Sequence, residues 1–234
     1  MILTAHQPVY LPWLGLFHKI WLSETFVSFD IAQYLTKEWM NRNKIKTHSG
    51  YEWLNVPVLK KGFLKKKTYE IRINNTINWR RKHFKSLCIN YKGAKYYDYF
   101  INILEKIYLK KWDFLSELNE YILKIFLTEL KIKVNFIKAS ELNFEGKGSD
   151  LVLDMCKKLE AKKYIFGTQG KNYAREKDFS KHNIDIYFQN YNHPKYFQLH
   201  SRFLPNLSVI DLFFNEGPNS LEIILKNQDN FGIK

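Results

Sequence analysis

The chain is poor in several things that would have narrowed its function at once. It has two cysteines in 234 residues, Cys88 and Cys156. They lie far apart without metal-ligand spacing, which argues against a disulfide-stapled scaffold or a cysteine zinc site and for thiols kept reduced. Arginine is scarce as well: six of the 37 basic residues are arginine, so the net charge of +14 is almost all lysine. Together with abundant Ile, Asn, Tyr and Phe, this reads as the composition bias of an AT-rich genome. Base readers and phosphate clamps favour the planar fork of arginine, so polymeric nucleic acid is not the expected partner. A phosphorylated small substrate, an acidic carrier protein or an anionic membrane surface suits the positive field equally. No apolar run approaches the roughly 18 residues of a membrane-spanning helix. The N-terminus also lacks the basic-then-apolar pattern of a secretion signal, so a cytoplasmic protein without a membrane span is expected. There is no P-loop, complete G-x-G-x-x-G, G-x-S-x-G, H-E-x-x-H or paired C-x-x-C, and no internal repeat.

What is present suffices for a core. Hydrophobic residues make up 45% and aromatics 17%, consistent with one domain over 1–234 whose last residues, 227–234, form a loose end. "MILTAH" reads as a buried strand, "PWLGLFHKIWLSE" as a helix after a proline-bearing turn, and "TFVSFD" as a second strand. Strand, helix and strand within thirty residues is a βαβ unit, which suits a parallel sheet with its ligand crevice beyond the carboxyl ends of the strands. The segment from Asp30 to Thr47 reads as a long ligand-facing loop. "YEWLNVPVL" and "KKKTYEIRIN" read as two strands joined by the basic "KKGFLKKK". Residues 79–133 carry aromatics and Leu/Ile at spacings of three and four, which predicts a helical insertion, a candidate sub-lobe. Strand logic then returns in "VNFIKASEL", a helix opening at Ser149 or Asp150, "KKYIFG" ending on Gly167, and "IDIYFQ". A last short helix in "FLPNLSVIDLFFNEG" is stopped by Gly217 and Pro218. The expected fold class is therefore α/β, a Rossmann-like, mostly parallel sheet with a helical insertion in the middle.

Several long segments, "HQPVYLPWLGLFHKI", "AQYLTKEWMNRNKIKT", "WLNVPV", "YIFGTQGKNY" and "NHPKYFQ" followed by "FLPNLSVIDLFFNEGP", together resemble the WbqC-like proteins of bacteria. The resemblance spans nearly the whole chain. It implies a place in surface polysaccharide (O-antigen, lipopolysaccharide) biosynthesis and a transferase that moves an amino-acid-derived or other acyl group onto an amino sugar. A fainter similarity links residues 4–34 to the HIGH-type Rossmann-like adenylate-forming and nucleotidyl-transferring enzymes. There Gly15 would match the glycine of the motif, His18 its second histidine and Gln33-Tyr34 a glutamine-aromatic pair. The first histidine position holds Pro12 or Trp13.

Making an amide on a sugar needs the amine deprotonated and the tetrahedral oxyanion stabilised. A histidine at a strand end is the natural base near neutral pH, and His6 is the first choice, with a structural histidine as the alternative. Gln7 would donate to an oxyanion or a sugar hydroxyl, or satisfy the turn. Asp30 would orient a base or cap its loop. Asn41, Arg42, Asn43, Lys44 and Lys46 offer donors for the diphosphate of a nucleotide-linked sugar, or form a solvated loop. Tyr10, Trp13 and Tyr34 would stack on a ring or pack in the core, with Gln33 beside them. His193, Gln198, His200 and Arg202 form a second polar concentration, expected to face the first across the crevice. The gap of seven between His193 and His200 would place both on one side of a helix, but the intervening Pro194 and aromatics argue against one, so no metal is expected. "GTQGKNY", Gly167 to Tyr173, would let backbone approach a phosphate or simply turn.

The expected co-substrate is an acyl thioester on coenzyme A or on an acyl carrier protein, or an adenylate made with ATP by a ligase. The alternative is a non-catalytic module that recruits an acidic carrier protein, a glycan intermediate or nucleic acid. An enzyme should gather His6, Asp30, Arg42 and His193 in one crevice. A binding module should scatter them and show a flat lysine-aromatic face.

Overall fold

The structure is a computed structural model and describes residues 1–200 and 202–228. The predicted opening forms as β1 (Ile2–His6), α1 (Leu14–Trp21) and β2 (Thr25–Ser28). After the hairpin of β3 (Arg42–Thr47) and β4 (Gly50–Asn55) come the helices α2 (Trp79–Tyr91), α3 (Tyr97–Leu109) and α4 (Leu115–Glu129). The chain then returns to strands with β5 (Asn135–Lys138), α5 (Ser149–Lys158), β6 (Lys163–Phe166), α6 (Glu176–Ser180) and β7 (Asp185–Phe188). It closes with α7 (Val209–Glu216) and α8 (Ser220–Leu225).

Strands β5-β2-β1-β6-β7 form one sheet in that order, and every pairing in it is parallel. This is the expected Rossmann-like α/β architecture. Both faces are covered, which is why the strands read as unbroken apolar runs rather than alternating ones. Within β2, Phe26 turns to the core shared with α1, α2–α4 and α7, whereas the adjacent Val27 turns to a second core with Leu3, Phe166, Met155 and Phe179. The insertion α2–α4 therefore shares one hydrophobic core with α1 and α7. Among the described residues no helix is long and apolar enough to cross a membrane. Of the expected loose end, 229–234 lies outside the described residues.

Two readings need correction. The last third of the Asp30–Thr47 segment, from Arg42 onward, is a strand, and β4 pairs antiparallel with it, Arg42 opposite Asn55 and Thr47 opposite Gly50. The expected partner of β4, "KKKTYEIRIN", instead forms a 3-10 turn over Thr68–Glu70 with isolated bridges on either side. The period of two was hidden because one inward position of β3 is a polar residue. Asn43 and Ile45 are both fully buried, and the Asn43 amide donates to the Leu11 carbonyl at 2.6 Å. Burial of a hydrogen-bonded amide leaves no hydrophobic mark in the sequence.

Candidate active site

The sheet order runs outward from β1 in one direction through β2 and β5, and in the other through β6 and β7, so the winding of the sheet reverses at the boundary of β1 and β6. β1 pairs with β2 as far as His6 opposite Ser28, but with β6 only as far as Thr4 opposite Ile165. Beyond Thr4 the two strands have no ladder between them. Open α/β sheets bind ligands in such a crevice, outside the carboxyl ends of the strands where the winding reverses. A cavity of about 880 Å³ lies there, bounded by Ala5, His6 and Gln7 at the end of β1 and by Gly167 to Gly170 after β6. That volume is within the range that holds small-molecule ligands and cofactors.

His6 is half-buried on this wall, with Nδ1 2.8 Å from the Gln7 carbonyl oxygen. A carbonyl only accepts, so Nδ1 carries the proton and Nε2 keeps its lone pair. The ring edge rests on Trp13, centroids 5.4 Å apart. Burial, and then the neighbouring Lys19, push the His6 pKa down to about 3 against the opposing Gln7 hydrogen bond. The imidazole is therefore neutral at physiological pH, an acceptor rather than a cation.

Lys19 projects from α1 onto the same cavity and is 4% exposed. Its Nζ donates to the Ala5 carbonyl at 2.9 Å, which caps the strand where β1 leaves β6. None of the ion pairs among the described residues involves it. Burial without a counter-ion pulls its pKa down to about 7. Lys19 is not among the site residues expected from the sequence. The available signal was a lysine inside a helix whose residues Leu14 through Ile20 are all buried, since buried lysines are rare without a partner.

The far wall is fastened by Gln189, whose amide donates to the Gly15 carbonyl and sits 2.8 Å from each of Gly15 O and His18 Nδ1. Gly15 is required there, because a Cβ would approach the Tyr191 ring to 2.9 Å. Gly170 is required for the same reason at the opposite lip, where a Cβ would stand 2.5 Å from Phe166. The "GTQG" stretch is thus a cavity wall as well as a turn. Aromatic rings of Trp13, Trp39, Tyr164, Tyr173 and Tyr191 line the space, with one carboxylate among the described residues, Glu38. Among the described residues no group of three or more His, Cys, Asp or Glu could hold a metal ion.

The other expected site residues are not brought to this cavity. Asp30 is buried and accepts from Ser140, at 2.9 Å from the backbone N–H and 2.5 Å from the hydroxyl, as the alternative capping reading had it. Tyr10 is buried against His83 Nδ1 and the Tyr108 hydroxyl, at 2.8 and 2.6 Å. Gln33 donates to the Leu64 carbonyl and Tyr34 packs edge-on to Phe63, so the glutamine-aromatic pair of the HIGH-type pattern faces elsewhere. Asn41 and Asn43 tie the hairpin to Asn55, Val56 and Leu11.

The expected diphosphate clamp does not assemble. Arg42 lies 4.3 Å over the Trp53 ring and bonds the Lys37 carbonyl, while Lys44 lies 4.5 Å over Tyr51. Lys46 points inward to the Gln198 side chain and the Arg202 carbonyl. The second polar concentration therefore does meet the first, at Lys46, but inside the protein. There Asp211 accepts from Tyr91 at 3.0 Å and Tyr196 at 2.8 Å, and Gln198 donates to Tyr196 and Leu204. Burial raises the Asp211 pKa to about 6 against these hydrogen bonds and Lys46. His193 bonds the Pro194 carbonyl at 2.9 Å and sits among Tyr191, Tyr196 and Phe203. Of the four residues expected in one crevice, His6 alone lines it.

Comparison with known proteins agrees with the segments noted in the sequence. The model of the WbqC-like protein family matches residues 7–223. The uncharacterized protein Rv1507c of Mycobacterium tuberculosis is 31% identical over 213 residues, which cover 90% of this chain and 92% of that protein. No solved structure matches the chain.

Proposed function

The chain belongs to the WbqC-like protein family, and from that premise we propose that it is an enzyme of bacterial surface-glycan biosynthesis that joins an acyl or aminoacyl group to the amine of a nucleotide-linked amino sugar. The observation that carries this reading is the neutral imidazole of His6 beside Lys19 in the cavity at the β1/β6 reversal. The sugar amine attacks the acyl carbonyl carbon. A C–N bond forms as the C–S bond of a thioester, or the C–O bond of an adenylate, breaks. The proton shed by the amine passes through Nε2 of His6 to the leaving thiolate or to water. Gln7, next along the wall, supplies an N–H to the oxyanion. The acyl donor is a thioester of coenzyme A or a carrier protein, or an adenylate formed with ATP.

One observation favours a second reading, the recruiting module. The hairpin presents the interleaved cations and rings of Arg42, Lys44, Tyr51 and Trp53, with Tyr51 52% exposed, a face suited to a glycan or an acidic partner. The deciding experiment incubates the protein with a panel of nucleotide amino sugars and acyl donors, with and without ATP, and follows product mass. The enzyme reading expects an amide product whose formation falls about 100-fold or more in His6→Gln, the usual scale for losing a proton-transfer group. Full activity in a folded His6→Gln or His6→Ala variant would remove His6 from the mechanism. No product from any pair, with glycan or carrier binding that depends on Trp53, would replace the enzyme reading by the second.

A further inference from the structure

Among the described residues two lysines are buried almost completely, and one of the two has a charge to answer it. Lys46 lies near Asp211. Lys19 has one backbone carbonyl, at 2.9 Å, and no carboxylate within ion-pair distance among the described residues. An ammonium has three N–H donors, so two remain, and the cavity lies directly beside them. Gly167 borders the ammonium: a Cβ on it would stand 4.0 Å from Nζ, an ordinary van der Waals contact. Buried cations are paired, and a buried one without a partner in the protein is costly.

We infer that Lys19 is the anion anchor of the cavity and that the partner it lacks arrives with the ligand, as the diphosphate of a nucleotide-linked sugar. The choice of diphosphate rests on the proposed reaction; the need for an anion rests on the geometry alone. The anchor differs from the clamp expected at Arg42 and its neighbours, whose cations are engaged with rings and carbonyls. It also acts on His6. Lys19 is the second of the two causes that hold the imidazole pKa down, so a phosphate paired with Lys19 relieves that field and makes His6 a better proton acceptor when substrate is in place.

Pairing with a diphosphate requires the ammonium form. In the free protein burial pulls the Lys19 pKa down to about 7, so Lys19 itself takes up close to one proton on binding at pH 8 and little at pH 6; the phosphate's own ionisation near about 6 adds to the net count, and Lys19 is read as the difference from Lys19→Met. The other titratable groups on the cavity walls are His6, Tyr164, Tyr173, Tyr191 and Glu38. Burial raises the three tyrosines, which stay neutral over this range, and His6 is neutral until far lower pH.

The test is calorimetric titration of the whole protein with inorganic pyrophosphate and with uridine, guanosine and adenosine diphosphates, using the corresponding nucleosides as controls. Titrations at pH 6 and pH 8 in two buffers of different ionisation enthalpy count the protons. The wild type is expected to bind pyrophosphate and at least one diphosphate, and the nucleosides about 100-fold more weakly. Lys19→Met should lose about 100-fold in diphosphate affinity, the scale of removing a charge-assisted contact from a buried site, together with the proton uptake at pH 8. Lys19→Arg, permanently charged, should bind without uptake, a signature that a merely structural lysine would not produce. The inference is overturned if Lys19→Met binds diphosphate as the wild type does, if nucleosides bind as well as their diphosphates, or if the wild type binds none of the probes. Product formation in the acyl-transfer panel with Lys19-independent diphosphate binding would sink the anchor and leave the reaction standing. Lys19-dependent binding without product from any donor would do the reverse.

Discussion

Lys19 and Lys46 are 4% and 2% exposed, respectively, yet their surroundings differ in the one respect that matters for a buried charge. Lys46 ends among the Gln198 side chain, the Arg202 carbonyl and the field of Asp211, inside a network in which Tyr91, Tyr196 and Leu204 take up the remaining polar groups. Lys19 ends at one carbonyl and a cavity. Desolvation penalises both ammonium groups, but only around Lys46 does the protein offset it with a carboxylate. Residue type and burial are the same, so neither separates a structural lysine from a site lysine. The account of partners does.

The comparison breaks most visibly at Asp211. Asp211→Ala would leave Tyr91 and Tyr196 without their shared acceptor and Lys46 without the nearby carboxylate that offsets its charge, and should cost roughly 3–5 kcal/mol, the range for breaking a buried charge network from one side. Urea denaturation measures it, and a loss below about 1 kcal/mol would mean that the network adds little. Next in size is a difference of sign between the two lysines. Lys46→Met removes the cation facing the buried Asp211 and leaves the Arg202 carbonyl without its donor, and should cost about 2 kcal/mol. Lys19→Met removes an uncompensated buried cation and should leave stability unchanged or raise it by up to about 1 kcal/mol, while diphosphate binding falls. Equal losses of stability in both variants would erase the distinction.

The smallest effect is in pH dependence, where the two regions pull in opposite directions. Asp211, raised to about 6, adds stability below the ordinary carboxylate range, and that stability is lost as pH rises through 6. His6, lowered to about 3, contributes stability present above 6.5 that is lost as pH falls through 3. Asp211→Asn should therefore lose stability faster than the wild type between pH 6 and 4, by about 1–2 kcal/mol. His6→Gln should instead flatten the acid side of the curve. Melting temperatures across pH 3–8 read both.

Much of the fold was legible. The strands of the parallel sheet are short apolar runs ended by polar or glycine residues, α5 opens at the expected Ser149, and α7 ends at Glu216 before the expected Gly217. β3 was missed because its inward face includes an asparagine. The site was legible in part. His6 and Gln7 follow from the rule that ligands gather at strand ends, whereas Asp30 and His193 carry equally promising side chains but spend them on Ser140 and on the Pro194 carbonyl. A polar side chain in the sequence does not disclose whether a backbone group elsewhere will claim it.

By itself the sequence determined the parallel α/β sheet, the helical insertion and the family, because apolar periodicity and long matching segments are local properties carried along the chain. Only the tertiary structure decided where winding reverses, between β1 and a strand some 160 residues later, and therefore which strand ends open onto a cavity. It also decided that Lys19 faces that cavity without a counter-ion while Arg42 stacks on Trp53. Those outcomes depend on contacts between distant segments, and the free energy of a buried charge is set by what surrounds it rather than by its neighbours in the chain.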